Sequence, residues 1–510
     1  MTLSTTPGAT GVQHVEIRRG RYVDSVSLMQ VSAGVAGVDG VRKAQVAMAT
    51  ELNLDVLAQM GFTIPPEAGP NDMVVAVVGD DDAAVAAALE AVDTAIAAIG
   101  TGGGAGGFGG EPDARTTRWA ARRAHASLAV VSVPGEHAFA EAMGALEAGS
   151  SVLVFSDNVP VEHEVRLKEE ADARDLLVMG PDCGTAIVNG VGLGFANVVG
   201  RGPVGIAAAS GTGAQQFTSL LHAAGVGVSH CLGLGGRDLS AEVGGRAARS
   251  ALRALDADPS TEVIVVVSKP PHPDVARELR EYAATLATPV HFALLGAGQP
   301  DITAGVENVL AELGHEVPAW RTWGTTTPAP AVVGEATLLR GLFAGGTLCD
   351  EAMLIAEESL GDIASNIPLR PELALPADLQ HDGHLMIDFG DDTLTQGRPH
   401  PMIDPALRLA RIEREAADPH TRVILLDVVL GFGAHADPAA ELAPVLAQAR
   451  RTATDAGRDL AVVVSLCGTD ADPQGLDAQA NALAEAGAVV FLSNAAAARH
   501  AVALVTGGTR

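Results

Sequence analysis

Residues 205–217 read GIAAASGTGAQQF, and residues 341–353 answer with GLFAGGTLCDEAM. In each stretch an apolar run passes into glycine and threonine and then into helical spacing. That pattern predicts a strand, a tight turn and a helix start. A helix start carries unpaired backbone N–H groups and the positive end of the helix dipole, so it suits an anion. Alone, Ser210-Gly211-Thr212-Gly213 also reads as an ordinary N-capped turn. The echo at Gly345-Gly346-Thr347 extends further. GLGGRDL (233–239) is answered by IDFGDDTL (387–394), and ADPSTEVIVVVSKPP (257–271) by ADPHTRVILLDVVLGFG (417–433), in the same order. Three ordered matches predict two tandem α/β domains of one fold about a pseudo-two-fold axis. Their two helix starts would then point at one anion.

The rhythm of strand, glycine turn and helix also runs upstream. LAVVSVPG, SVLVFSD and LLVMGPD are apolar on both faces, which predicts a parallel sheet covered by helices. Before them, HVEIRRG and MVVAVVG are strands and DSVSLMQVSAGVA and DDAAVAAALEAVDTAIAAI are helices. The expected organisation is an N-terminal α/β module (14–100) and a Gly-rich linker (101–114). Domains follow at 115–200, 201–322 and 335–510, with a Pro-rich linker at 323–334. Whether the first module is ferredoxin-like or half of a dinucleotide-type sheet is left open by the pattern.

Composition limits the function. Of 510 residues 47% are hydrophobic and 3% aromatic, so the cores are aliphatic. The formal net charge of −29 argues against nucleic acid and anionic membrane surfaces as partners. Small anionic substrates must therefore be held locally. The four cysteines show no metal-ligand or paired spacing, as expected of reduced thiols in a cytoplasmic protein, and no metal is expected. The start MTLSTTPGATGVQ lacks the basic and apolar regions of a signal peptide, and no apolar run is long enough to span a bilayer.

Several loops follow apolar strands, at the sheet edge where open α/β folds bind ligands. FSDN offers Ser156, Asp157 and Asn158. GPDCGT offers Gly180, Asp182, Cys183, Gly184 and Thr185, with Cys183 also readable as a small buried turn residue. GLGGRDL offers Arg237 and Asp238, which bind an oxygen-rich ligand or pair with each other. Lys269 in VSKPP is placed to meet an anion. GRPHPMIDP brings Arg398, His400 and Asp404 into one loop, and LLDVVLGFGAHADP adds Asp427 and His435. These residues suit acid–base work or anion binding. Asp427 is expected at the strand end that matches Ser268-Lys269.

In this order, LLVMGPDCGTAI, VGIAAASGTGAQQF, GLGGRDLSAEVGG and DADPSTEVIVVVSKPP resemble the α subunit of succinyl-CoA synthetase. DSVSLM, VLVFSDNV, LGLGGRDLS, VSKPP, GRPHPMIDP and LLDVVLGFGAHADPA more closely resemble the FdrA proteins of that superfamily, from residue 24 to about 440. The resemblance implies a Rossmann-like CoA-binding domain at 115–200, then two flavodoxin-like ligase domains. It implies phosphate binding by residues 210–213 and 345–347. The synthetases carry a phosphohistidine in a G-H-A-G loop; the comparable segment here is FALLGAGQP (292–300), with no histidine, and His272 and His291 do not match it.

For FdrA proteins the resemblance implies oxamate-type carbamoyl transfer with partner subunits, with carbamoyl phosphate as substrate and no cofactor. Lys269 and Arg398 would then balance substrate charge, and His400, Asp427 or His435 would move protons. An ADP- or GDP-forming acyl-CoA ligase subunit, using CoA and ATP with Mg, is the alternative. A non-catalytic CoA- or nucleotide-binding scaffold is a third reading. A homo-oligomer is compatible with each.

Overall fold

A computed structural model describes residues 7–8, 11–20, 23, 25–63, 65, 68–69, 71–100, 114–325, 336–395 and 398–507. Most of both expected linkers therefore falls outside the described residues. Two compact units are present: residues 1–113 with 396–399, and residues 114–395 with 400–510.

The N-terminal unit contains β1 (Pro7–Gly8), β2 (Gly11–Arg18), α1 (Ser25–Ala36), β3 (Val41–Met48), α2 (Glu51–Gln59), β4 (Met73–Gly79) and α3 (Asp82–Gly100). The sheet order is β1-β2-β4-β3, with β4 antiparallel to both neighbours. That arrangement is ferredoxin-like and excludes a dinucleotide-type half sheet, whose neighbours are parallel. The unbroken apolar run of β4 has a physical reason. Met73, Val75 and Val77 pack with Leu28, Val35 and Val92 on one face, while Val74 and Ala76 pack with Leu57 and Phe62 on the other.

The larger unit opens with α4 (Thr117–Ala124), β5 (Leu128–Val131), α5 (Gly135–Glu147), β6 (Ser151–Val154), α6 (Val161–Ala173) and β7 (Val178–Met179). Strands β5-β6-β7 form a parallel sheet. Next come β8 (Thr185–Val188), β9 (Val191–Gly194), β10 (Arg201–Ala209), α7 (Gly211–Ala223), β11 (Val228–Gly233), α8 (Arg246–Asp256), β12 (Val263–Ser268), α9 (Pro273–Ala283), β13 (Val290–Leu294) and α10 (Ile302–Glu312). Their sheet order is β13-β12-β10-β11-β8-β9. The hairpin β8–β9, grouped by sequence with the preceding domain, instead joins this sheet through Ile187 opposite Cys231.

The second repeat holds β14 (Thr322–Trp323), β15 (Leu338–Phe343), α11 (Gly346–Leu360), β16 (Ala364–Ser365), β17 (Leu385–Asp388), α12 (Asp392–Thr395), α13 (Ala406–Ala417), β18 (Thr421–Val429), α14 (Pro438–Asp455), β19 (Ala461–Cys467), α15 (Leu476–Glu485), β20 (Val489–Phe491) and α16 (Asn494–Thr506). Its sheet order is β14-β20-β19-β18-β15-β17-β16, parallel except for β14. One aliphatic core runs through both repeats, from Phe217 and Leu221 of α7 to Leu348 and Met353 of α11.

Strand registers fix how the repeats correspond. Ala207 pairs with Val266 and Leu232, and Leu342 pairs with Leu426 and Ile387. Thr212 therefore corresponds to Thr347, Gly233 to Asp388, and Val267 to Asp427. Asp427 thus lies one residue earlier than the expected match to Ser268-Lys269. The turn before each third strand repeats too: Asp258 accepts from the N–H of Ser260, and Asp418 from that of His420.

Candidate functional site

The two helix starts meet. Ser210 caps α7, its Oγ accepting from Gly213 N–H at 2.9 Å, and the same oxygen lies 2.6 Å from Thr347 Oγ1. The contact is reciprocal. A Cβ on Gly345 would lie 2.7 Å from Thr212 Oγ1, and one on Gly213 would lie 2.9 Å from Thr347 Cγ2. Each threonine therefore packs onto the opposite helix start, and glycine is needed there because no side chain fits. The first-turn N–H groups of both helices have no intrahelical partners.

What flanks each start differs. In the first repeat, Gly233 is packed by Cys183 and the Thr185 carbonyl, leaving no room for a side chain. Thr185 is 4% exposed, and its Oγ1, without a hydrogen-bond partner among the described residues, lies 3.4 Å from where a Cβ on Gly211 would stand. In the second repeat the matching position is Asp388. Its Oδ2 lies 2.7 Å from where a Cβ on Gly346 would stand, and Lys269 Nζ lies 3.4 Å from that point. Asp350 follows Gly346 by four residues, so it shares that face of α11.

Burial pushes Asp388 up to about 7 against the pull of Lys269, and pushes Asp350 up to about 6. Burial pulls Lys269 down, but Asp350, Asp388, Asp182 and Asp391 outweigh it, so its ammonium is held above the ordinary value. Surrounding protein and Asp392 raise Asp182. The result is a protonated lysine facing carboxyl groups that titrate near neutrality, beside two helix starts.

Asp388 and Asp350 did not stand out as site residues in the sequence. The signal was present in IDFGDDTL, where an aspartate replaces the glycine of the first repeat.

His400 joins this group. Its Nε2 and Asp388 Oδ1 lie 2.7 and 3.1 Å from where a Cβ on Gly390 would stand. Its Nδ1 accepts from Met402 N–H at 3.3 Å, so the neutral ring carries its proton on Nε2. Burial and Arg408 push His400 down to about 4. Its ring is therefore neutral at physiological pH, with Nε2–H free to donate.

Asp427 is fully buried, and its oxygens accept from the N–H groups of Ala344 and Gly345 at 2.7 and 2.8 Å and pair with Arg408 at 2.7 Å. It holds the loop before α11 and is a positioning residue. His435 accepts at Nδ1 from Asp437 N–H and faces a small cavity lined by Ala344, Met402 and Arg408. Asp404 accepts from Ala406 N–H at the start of α13. Arg398 is exposed and belongs to the segment that clusters with the N-terminal unit.

Other predicted residues support the scaffold. Asp238 is fully buried, pairs with Lys168 at 2.9 Å and caps α8 through Ala247 and Ala248 N–H. Arg237 bonds Glu164 and the Val159 carbonyl rather than Asp238. Ser156 accepts from Val133 N–H, while Asp157 and Asn158 are exposed. Gly180 and Gly184 bracket Cys183, whose thiol burial pushes up to about 12, so it is not a nucleophile. All four cysteines are free and buried.

Carbonyl oxygens of Asp157 and Asn158 stand where a Cβ on Gly135, at the start of α5, would sit, so no side chain fits there. Among the described residues, no three His, Cys, Asp or Glu side chains are grouped to hold a metal ion, and no helix is long and apolar enough to cross a membrane.

Residues 342–504 match the CoA-ligase family, and residues 10–110 match the AllF heavy metal-associated domain. The latter range contains no cysteine. The chain is 38% identical to the Escherichia coli K12 protein YahF over 501 residues, covering 94% of this chain and 96% of YahF. It is 26% identical to the α subunit of ADP-forming succinate–CoA ligase from Methanothermobacter thermautotrophicus over 177 residues. That match covers 34% of this chain and 59% of the subunit. Among solved structures, it is similar to dinucleotide-forming acetyl-coenzyme A synthetase 1 of Ca. Korarchaeum cryptofilum in complex with phosphate and ADP. Sequence identity there is 16%, coverage is 75% of this chain and 82% of that one, and the TM-score is 0.28.

Proposed function

This chain belongs to the FdrA family of the acyl-CoA synthetase superfamily, and from that premise we propose that it is a subunit of a carbamoyl-phosphate-dependent carbamoyltransferase of the oxamate type. The observation that carries the reading is the meeting of two helix starts at Ser210 and Thr347, with Lys269 beside them. Residues 210–213 and 345–347 supply N–H and hydroxyl donors to carbamoyl phosphate, and Lys269 balances its charge.

The amide nitrogen of the acceptor attacks the carbamoyl carbon. A C–N bond forms, the bond between the carbamoyl carbon and the bridging oxygen breaks, and its electron pair leaves on that oxygen as phosphate. The proton lost by the nitrogen passes to a carboxylate, with Asp388 placed to take it. The products are inorganic phosphate and an N-carbamoyl amide. His400 donates from Nε2 toward developing negative charge. No step runs through CoA, a nucleotide or a metal. Partner subunits complete the enzyme, which works in the cytoplasm.

The match of residues 342–504 to the CoA-ligase family favours a second reading, an acyl-CoA ligase subunit that takes CoA and ATP with Mg. The segment 292–300 lacks the histidine that such a reaction phosphorylates in the synthetases.

One assay separates the readings. The chain, combined with its partner subunits, is given carbamoyl phosphate with and without oxamate, and released phosphate is measured. Acceptor-dependent release is expected, falling about 100-fold or more in Lys269→Met. ADP formation from ATP, CoA and a carboxylic acid would instead establish the ligase. Binding of ligands with no turnover of any amide acceptor would leave the scaffold role and overturn the transferase.

A further inference from the structure

The repeats place equivalent glycines, Gly211 and Gly346, at the two helix starts, but different groups stand over them. Over Gly211 is Thr185, a buried hydroxyl with no partner among the described residues. A buried polar group left unpaired is costly, so a hydrogen-bonding ligand there would relieve that cost. Over Gly346 are Asp388 and Lys269, and Asp350 lies one turn along α11. Neither Asp350 nor Lys269 is within 4.0 Å of an ion-pair partner among the described residues, although carboxylates surround the ammonium. One start thus has an unpartnered hydroxyl over it, the other carboxyl groups with a single cation.

Resting on the carbamoyl-phosphate reading above, we infer that the cradle is polarised: phosphate is held at the start of α7 with Thr185, and a nitrogen-bearing N–H donor group at the start of α11 by Asp388 and Asp350. A phosphate dianion fits hydroxyl and N–H donors, and is repelled by two carboxylates. An amide or carbamoyl NH₂ has two protons to give and fits those carboxylates, while Lys269 keeps the acidic end from carrying uncompensated charge. The asymmetry sets substrate class. A methyl group in place of NH₂ would offer no proton to Asp388 Oδ2 or Asp350, so acyl phosphates without nitrogen are disfavoured.

The test uses two stable phosphonates that differ only at this group, phosphonoacetamide and acetonylphosphonate, titrated calorimetrically into the full chain at pH 7.5 beside inorganic phosphate. The amide is expected to bind about tenfold or more tightly than the ketone. Asp388→Asn, which keeps an acceptor for Gly390 N–H, and Asp350→Asn should each bring the ratio to within about threefold. Thr185→Val should weaken both phosphonates and phosphate alike, leaving the ratio unchanged. Equal affinity in the unaltered chain, or a ratio unmoved in both aspartate variants, overturns the inference while phosphate binding keeps the anion cradle. If neither phosphonates nor phosphate binds, the carbamoyl-phosphate reading falls, and the inference with it. The unaltered chain's ratio decides the matter even where a variant does not fold.

Discussion

Ser210 Oγ lies 2.6 Å from Thr347 Oγ1, joining residues 137 positions apart at the start of one helix in each repeat. This contact makes two ordinary strand-to-helix turns into one site. A Cβ on Gly213 would press on both Ser210 and Thr347, and one on Gly345 would press on Thr212.

Ser210 has two tasks, and substitutions separate them. Ser210→Ala removes the cap on Gly213 N–H and the link to Thr347, and is expected to cost about 1–2 kcal/mol. Thr347→Val keeps the shape and removes only the link, so it should cost less than about 1 kcal/mol. Urea midpoints of the two variants measure the difference. An unshifted midpoint in Ser210→Ala would show that the cap contributes nothing.

Arg408 and Asp427 set the loop that delivers α11. Arg408→Met leaves a fully buried carboxylate with only two N–H partners, and should cost about 3–5 kcal/mol. The double change Arg408→Met with Asp427→Asn should recover part of that, because the stranded charge is gone. Equal midpoints for the single and double variants would exclude charge stranding as the cause.

The repeat was legible because strand-turn-helix spacing survives in one dimension, and ADPSTEV and ADPHTRV mark the same turn. The meeting of Ser210 with Thr347 was foreshadowed by that echo. Other roles were not legible. Asp427 and Asp404 looked like free acids because a carboxylate bonded to backbone N–H has the same letter as one facing a substrate. Asp388 and Asp350 are not legible in the sequence because their chemistry comes from burial beside Lys269, which depends on how two domains pack. Ferredoxin-like pairing in the first module was undecided for a similar reason: strand direction is set by the antiparallel return of β4, not by composition.

Glu351 should make stability fall as pH rises. It is fully buried between Ile302 N–H and Asn494, and burial pushes it up to about 7 from an ordinary value of 4.5. The folded state therefore holds a proton that the unfolded chain releases more readily. The favourable contribution is complete below about pH 4.5, is lost as pH rises toward 7, and is constant above. The full swing is up to about 3 kcal/mol. Asp388 and Asp350 act with the same sign. Glu351→Gln should flatten the pH dependence of the urea midpoint between pH 5 and 8. A variant whose slope equals that of the unaltered protein would remove Glu351 as its source.

Lys168 is a purely structural counterpart to Lys269, and the contrast predicts opposite phenotypes. Its Nζ is buried and bonds Glu164 at 2.6 Å, Asp238 at 2.9 Å and the Leu234 carbonyl at 3.0 Å. Asp238 in turn caps α8, so this ammonium ties α6 to the loop after β11. Lys168→Met leaves two buried carboxylates sharing only Arg237 and backbone N–H partners, and about 3–5 kcal/mol should be lost. Lys269→Met removes a cation that has no ion-pair partner within 4.0 Å among the described residues, from a site crowded with acids that titrate near neutrality. It should cost clearly less stability than Lys168→Met while abolishing anion binding. Urea midpoints and phosphate titrations on both variants check the pair. If Lys269→Met destabilised the fold as much as Lys168→Met, Lys269 would be a packing residue and its place at the helix starts incidental.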